Sequence, residues 1–92
     1  MNQRDDFIAD ILNKPLSEIS EDIFFRPDNF QNEPWYDDFD LFLHIGTCQP
    51  KPEYVLDIQK ALKVMGFTTH TSEINGELFL IPGQEEIKGG SQ

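Results

Sequence analysis

The sequence predicts an α+β domain: a small three-stranded sheet packed by a helix at about residues 53–65, with one or two further helices near the N-terminus. Three observations lead to this fold class. Apolar residues recur at helical spacing across 53–65, Asn75-Gly76 is the dipeptide most typical of a tight β-hairpin, and residues 78–81 are apolar on both faces. An amphipathic helix and a hairpin of this kind bury their apolar faces against each other.

The N-terminal region is predicted to contain one or two helices followed by a loop. Residues 4–13 carry apolar side chains on one helical face, and Pro15 ends this helix. Residues 16–25 repeat the helical spacing over a shorter distance, which predicts a second, short helix. Residues 26–38 contain two prolines and several turn-forming residues, so we expect a loop there.

Residues 39–45 are predicted to form the first strand, because their side chains alternate with the period of a strand that has one buried face. The connection through the 53–65 helix favours a parallel arrangement of this strand and a second one at 67–73. Residues 78–81 then belong between the two, since a strand that is apolar on both faces is typical of a central position. The expected sheet order is 1-3-2, with the central strand antiparallel to both neighbours.

Length and composition limit the chain to one domain. It has 92 residues, of which 38% are hydrophobic, enough for one core. We assign the domain to residues 1–88 and expect residues 89–92 to form a flexible tail. Cys48 is the only cysteine, so an intramolecular disulfide is excluded and a reducing compartment is favoured. The longest apolar run, 78–82, is far shorter than the roughly 20 residues that span a bilayer, and the N-terminus lacks a signal-peptide pattern, so we expect a cytoplasmic protein.

Acidic residues outnumber basic ones, and they are unevenly distributed. The net charge is −10, from 17 acidic and 7 basic residues, with a pI of about 4.3. Residues 1–40 hold most of this charge, with 11 acidic and 3 basic residues. Such a surface repels a phosphate backbone or an anionic membrane, so direct binding to nucleic acid or to a membrane is disfavoured. A basic protein partner is attracted to it instead.

The segment NFQNEPWYDDFDLF, residues 29–42, combines large rings with carboxylates. Seven of the 11 aromatic residues of the chain lie between Phe24 and Phe42, and residues 18–40 hold eight acidic residues and one basic residue. Two interpretations are open. Either the rings pack into the core while the charges stay solvated, or the segment is a recognition surface in which rings supply binding energy and carboxylates select a basic partner.

The two interpretations are compatible if Phe30 and Phe39 point inward while Trp35 and Tyr36 point outward. Tryptophan and tyrosine are among the residues most enriched at binding hot spots, and carboxylates around them complement a basic protein. The predicted partner-binding set therefore comprises the two outward rings and the neighbouring carboxylates: Asp28, Glu33, Trp35, Tyr36, Asp37, Asp38 and Asp40.

Catalytic and metal-binding residues are not predicted, and no cofactor is expected. His44 and Cys48 are four residues apart near a predicted strand end, and nothing in the pattern holds them together as a base and a nucleophile. Asp40 and His44 would lie on one side of a strand but roughly 13 Å apart, at about 3.3 Å per residue, which is too far for one metal ion. Asp38-x-Asp40 also lacks the central glycine and terminal glutamate of a calcium loop.

The predicted function is that of a small acidic binding protein, without enzyme activity, which inhibits or masks a basic site on a nuclease or a nucleic-acid-binding protein. An immunity-type inhibitor and a nucleic-acid mimic both fit this description. Two alternatives remain open. One is a small metal-dependent or hydrolytic enzyme built on Asp40, His44 and Cys48, and the other is a structural subunit that uses the open face of the sheet.

Overall fold

The computed structural model describes residues 3–19 and 26–83, with side chains from residue 8 onward, and three α-helices precede a two-stranded antiparallel sheet in these ranges. The protein is thus of the α+β type. None of the helices in these ranges combines the length and the apolar character that a membrane crossing requires. The elements are α1 (Gln3–Asn13), α2 (Tyr36–Ile45), α3 (Val55–Val64), β1 (Thr69–Ile74) and β2 (Glu77–Pro82), with short 3₁₀ turns at Leu16–Glu18, Pro27–Phe30 and Pro52–Tyr54.

Helix α3 confirms the helix predicted at 53–65. The Pro52–Tyr54 turn leads into this helix, with proline at its first position. Proline suits a helix N-terminus because the N–H that it lacks would have no helical hydrogen-bond partner there. Its buried face meets α1, α2 and β1. This helix therefore lies at the centre of the core, to which it contributes Ile58, Ala61, Leu62 and Val64.

The predicted hairpin is also confirmed, as β1 and β2. Asn75 and Gly76 have φ angles of 55° and 81°, and a two-residue turn of the type that matches strand twist requires positive φ at both positions. The turn sets the register, so that Ile74 lies opposite Glu77 and Thr71 lies opposite Leu80.

The predicted first strand is wrong, because residues 39–45 belong to helix α2. Phe39 and Phe42 are both buried, whereas Leu41 and Ile45 are exposed. A strand would have placed residues 39, 41 and 45 on one face, while a helix brings positions three apart onto the same face. The burial follows the helical period.

The two ends of α2 explain why a helix forms here. Asp37 and Asp38 lie in its first turn, where the helix dipole favours negative charge. Gly46 ends it with a left-handed φ of 97°, and its N–H donates to the carbonyl of Phe42 at 2.7 Å. This is the usual conformation of a glycine just beyond a helix.

The predicted three-stranded sheet with order 1-3-2 is consequently wrong. Within residues 26–83, β2 has one full neighbour, β1, and on its other side it meets only the short segment Thr47–Gln49. Cys48 and Leu80 exchange backbone hydrogen bonds of 3.2 and 2.8 Å, the Thr47 hydroxyl donates to the Leu80 carbonyl, and the Gln49 amide donates to the Glu77 carboxylate. The connection after α2 takes the place of the expected strand.

Two lysines of α3 hold the N-terminal region to the core. The Lys60 ammonium group donates to the carbonyl of Leu12 at 2.6 Å, and that of Lys63 donates to the carbonyl of Leu16 at 3.2 Å. Leu12 lies in the last turn of α1, where carbonyls lack helical partners and the dipole favours a cation. Lys60 is 6% exposed, so its aliphatic stem is buried with the core.

The remaining predictions, for the N-terminal region and the C-terminal tail, are confirmed in part, and some fall outside the described residues. Helix α1 agrees with the helix predicted at 4–13. Of the second predicted helix, 16–25, the structure shows a single turn at Leu16–Glu18, and residues 20–25 lie outside the described residues. The predicted loop at 26–38 contains the Pro27–Phe30 turn and the beginning of α2. The predicted tail at 89–92 also lies outside the described residues.

We expect Leu62→Ala to lower the free energy of unfolding by about 2–5 kcal/mol, because it removes a fully buried side chain from the centre of the core. Urea denaturation at equilibrium measures this loss. Leu56→Ala is the matched control on the same helix, since Leu56 is 48% exposed and its truncation should change stability by about 0.5 kcal/mol or less. Equal losses for the two variants would contradict the placement of the α3 core face.

Candidate partner-binding surface

Three buried rings fix the acidic segment to the core. Phe30, Trp35 and Phe39 are each at most 1% exposed, and their ring centroids lie 5.4 to 6.0 Å apart in tilted or edge-to-face arrangements. Such pairs contribute about 0.5–1.5 kcal/mol each beyond the burial of their area. The large rings of this segment are therefore part of the packing of the fold.

The expected outward orientation of Trp35 is wrong, because this side chain is buried with Phe30 and Phe39. The backbone explains the difference. Trp35 immediately precedes α2, and its carbonyl accepts the N–H of Phe39 at 3.1 Å, so the two residues lie one helical turn apart on the same side. Their rings meet beneath the helix, which leaves Trp35 unavailable as a surface anchor.

Tyr36 lies at the boundary between the ring cluster and the acidic residues. Its ring is half-buried and packs 5.9 Å from the Phe39 ring. Burial raises the pKa of the Tyr36 phenol, and the negative charges of Asp40, Asp28 and Asp37 raise it further. The charges of three carboxylates thus act on one phenol. We call Asp28, Tyr36, Asp37 and Asp40 the acidic surface.

The carboxylates of the acidic surface have few cationic neighbours. Asp40 pairs with the exposed imidazole of His44, whose Nδ1 lies 3.5 Å from the carboxylate and 2.9 Å from the Asp40 carbonyl. Asp28 and Asp37 form no ion pair with any residue that the structure describes. Both carboxylates belong to exposed residues, so their charge is presented to solvent.

The other two predicted carboxylates face different surroundings. Asp38 is half-buried, and its charge adds to the effect of burial in raising the pKa of the Cys48 thiol. Glu33 is half-buried too, and its own pKa is raised first by burial and then by the charge of Asp57. The charges of Asp28, Asp37 and Asp40 thus act on Tyr36, whereas that of Asp38 acts on Cys48 and that of Asp57 acts on Glu33.

The arrangement of His44 and Cys48 is unlike that of a catalytic pair. Cys48 is 3% exposed and its backbone is bonded to Leu80, whereas His44 is exposed and directs Nδ1 toward Asp40. Burial, with a smaller contribution from Asp38, raises the pKa of the Cys48 thiol to about 12. Since the thiolate is the nucleophilic form, this sulfur is almost wholly inactive at neutral pH.

Metal-ligating side chains do not converge in the part of the chain that the structure describes. No group of three or more histidine, cysteine, aspartate or glutamate side chains is placed there so that it could hold an ion.

Asn29 and Asn32 were not singled out from the sequence. Together with Glu33 they face α1 across an open cavity. Polar residues in a turn carry no periodic signal, so only the position of α1 against the turn could have revealed them.

No family model, curated protein or solved structure matches this chain.

We expect Trp35→Ala to lower the free energy of unfolding by about 3–5 kcal/mol, because it empties a buried site between two rings. Equilibrium denaturation measures this loss. Trp35→Phe keeps a ring in the site, so its free energy of unfolding should fall by less. The wild-type fluorescence offers a second check, since Trp35 is the only tryptophan. A wild-type emission maximum as red as that of the unfolded chain would contradict its burial.

We expect Cys48 to react with iodoacetamide only when the protein unfolds, because the folded thiol is buried and its pKa is about 12. Mass spectrometry after incubation at pH 8 should show unmodified protein without denaturant and one modified thiol in concentrated urea. Rapid, complete modification of the folded chain would contradict this placement.

Proposed function

We propose that this chain is a small acidic binding protein that masks a basic site on a partner protein. One observation carries the proposal: the charges of Asp28, Asp37 and Asp40 all act on the phenol of Tyr36, and two of these carboxylates have no ion-pair partner among the described side chains. Like charges on one surface repel one another. A basic partner removes that repulsion on binding.

The mixture of groups on this surface suits a protein partner. Carboxylates accept charge-assisted hydrogen bonds from arginine and lysine, and these bonds are roughly twice as strong as neutral ones. The edge of the Tyr36 ring adds apolar contact, and tyrosine is enriched at binding hot spots. Trp35 plays no part in this interface because its ring lies in the core.

The overall charge extends the attraction beyond the contact itself. A net charge of −10, with most of the excess in residues 1–40, produces a field that draws a basic protein and repels nucleic acid. Charges at the rim of an interface act mainly on the rate of encounter. Two forms of the function agree with this chemistry: an inhibitor that occupies the basic cleft of a nuclease, and a nucleic-acid mimic that occupies the binding site of a nucleic-acid-binding protein.

We expect Asp37→Asn combined with Asp40→Asn to slow association with the partner several-fold at low salt and to change dissociation little, because exposed charges steer the encounter. The partner for this measurement is the basic protein recovered with the wild type from its host. Surface plasmon resonance at low salt and at about 1 M salt, where the screening length falls to about 3 Å, separates the two rates.

The matched control is Glu53→Gln combined with Glu73→Gln, which removes the same charge from exposed positions elsewhere. The association rate of this control should stay within about twofold of the wild-type rate, since the removed charges contribute only to the long-range field. Equal slowing by both pairs of substitutions would assign the effect to net charge and contradict a local surface. Recovery of no basic protein, or of one whose binding ignores the Asp37 and Asp40 substitutions, would also overturn the proposal.

A further inference from the structure

An open cavity of about 250 Å³ lies between α1 and the turn that follows Pro27–Phe30. One wall is apolar and the other is polar. In the apolar wall, Ile8 is buried and Leu12 is half-buried, and Ala9 lies between them in sequence. The described residues that line the cavity are Ile8, Ala9, Leu12, Asn29, Asn32 and Glu33.

The polar wall carries one negative charge. The Glu33 carboxylate is half-buried, and burial followed by the charge of Asp57 raises its pKa. The carboxylate has thus lost part of its hydration while it remains close to a second acid. Glu33 forms no ion pair with any side chain that the structure describes. A cation that enters the cavity supplies that compensation.

We propose that this cavity is a binding site for an arginine side chain, with the aliphatic stem on Ile8 and Leu12 and the guanidinium group on Glu33. The inference rests on the proposed function only for the source of that side chain, which is the basic partner. It adds to the acidic surface a pocket that takes one particular side chain.

The chemistry of the two walls matches arginine in three respects. Its stem is apolar and its head charged, so it suits a cavity that is apolar on one side and acidic on the other. The planar guanidinium group donates two parallel hydrogen bonds to one carboxylate. Its remaining N–H groups match an amide oxygen such as that of Asn32, whereas an ammonium group offers fewer donors in a less fixed geometry.

The probe for this site is n-butylguanidinium, which carries the stem and head of arginine without a peptide. We expect a titration of ¹⁵N-labelled protein to shift the side-chain amide signals of Asn29 and Asn32 and to saturate. Glu33→Gln should raise the dissociation constant about tenfold or more, since it removes the charged acceptor. Glu73→Gln is the control, because it removes one exposed charge on β1. Its dissociation constant for the probe should stay within about twofold of the wild-type value.

Two further measurements distinguish specific binding in the cavity from non-specific attraction of a cation to an acidic protein. Ala9→Leu narrows the cavity without changing its charge, and with an unchanged circular dichroism spectrum it should weaken binding. Butylurea has the same shape as the probe but no charge, and it should not saturate the site. Equal binding of butylurea, or undiminished n-butylguanidinium binding in Glu33→Gln, would overturn the proposal.

The same titration distinguishes this proposal from the broader function. Asp37→Asn combined with Asp40→Asn should leave n-butylguanidinium binding within about twofold, because these residues do not line the cavity. If the Glu33 variant binds the probe normally while the Asp37 and Asp40 variant loses the partner, the pocket fails and the masking function stands. If the pocket binds the probe and no partner needs the acidic surface, the masking function fails and the guanidinium site stands.

Discussion

The packing of Trp35 between Phe30 and Phe39 is the interaction that fixes the acidic half of the described structure. Helix α2 has 10 residues, and helices shorter than about 12–15 residues are marginal in water by themselves. Its stability comes from the rings on its inner face, and the Pro27–Phe30 turn is held by the same cluster. The rings occupy the inner side of this segment, and Asp28 and Asp37 are exposed on its outer side.

This division couples the stability of the protein to its charge. The rings favour a compact segment, and the like charges that act on the Tyr36 phenol repel one another. Salt screens that repulsion. Any ligand that binds only the folded state stabilises it by mass action.

The elements that sequence reasoning predicted correctly are those whose local signals agree with one another. The pattern of α3 is long enough to establish a helical period, and Asn75-Gly76 favours one turn type. Residues 39–45 were ambiguous, since five of the seven are apolar and both periods fit. Phe42 was the deciding residue, because the strand prediction left a large ring on the solvent side and the helix buries it.

The candidate site was predictable only in part, for related reasons. Burying a charge carries a large free-energy penalty, so most acidic residues can be expected at the surface. The orientation of each carboxylate depends on helix α2, which was predicted as a strand. Trp35 immediately precedes that helix, and its inward orientation depends on the helix too. The cavity beside Glu33 depends on how α1 packs against a turn, and no local pattern reports such a contact.

The segment Thr47–Gln49 has a further effect, on self-association. Strand β2 includes the apolar run Leu78–Ile81, and an uncovered strand edge of this kind is a template for pairing with another chain. Thr47, Cys48 and Gln49 occupy that edge with bonds to Leu80 and Glu77, and Pro82 at the end of the strand has no N–H to offer a new neighbour. Among the described residues, three that belong to neither strand thus cover this edge at Leu80, where a second chain could otherwise pair.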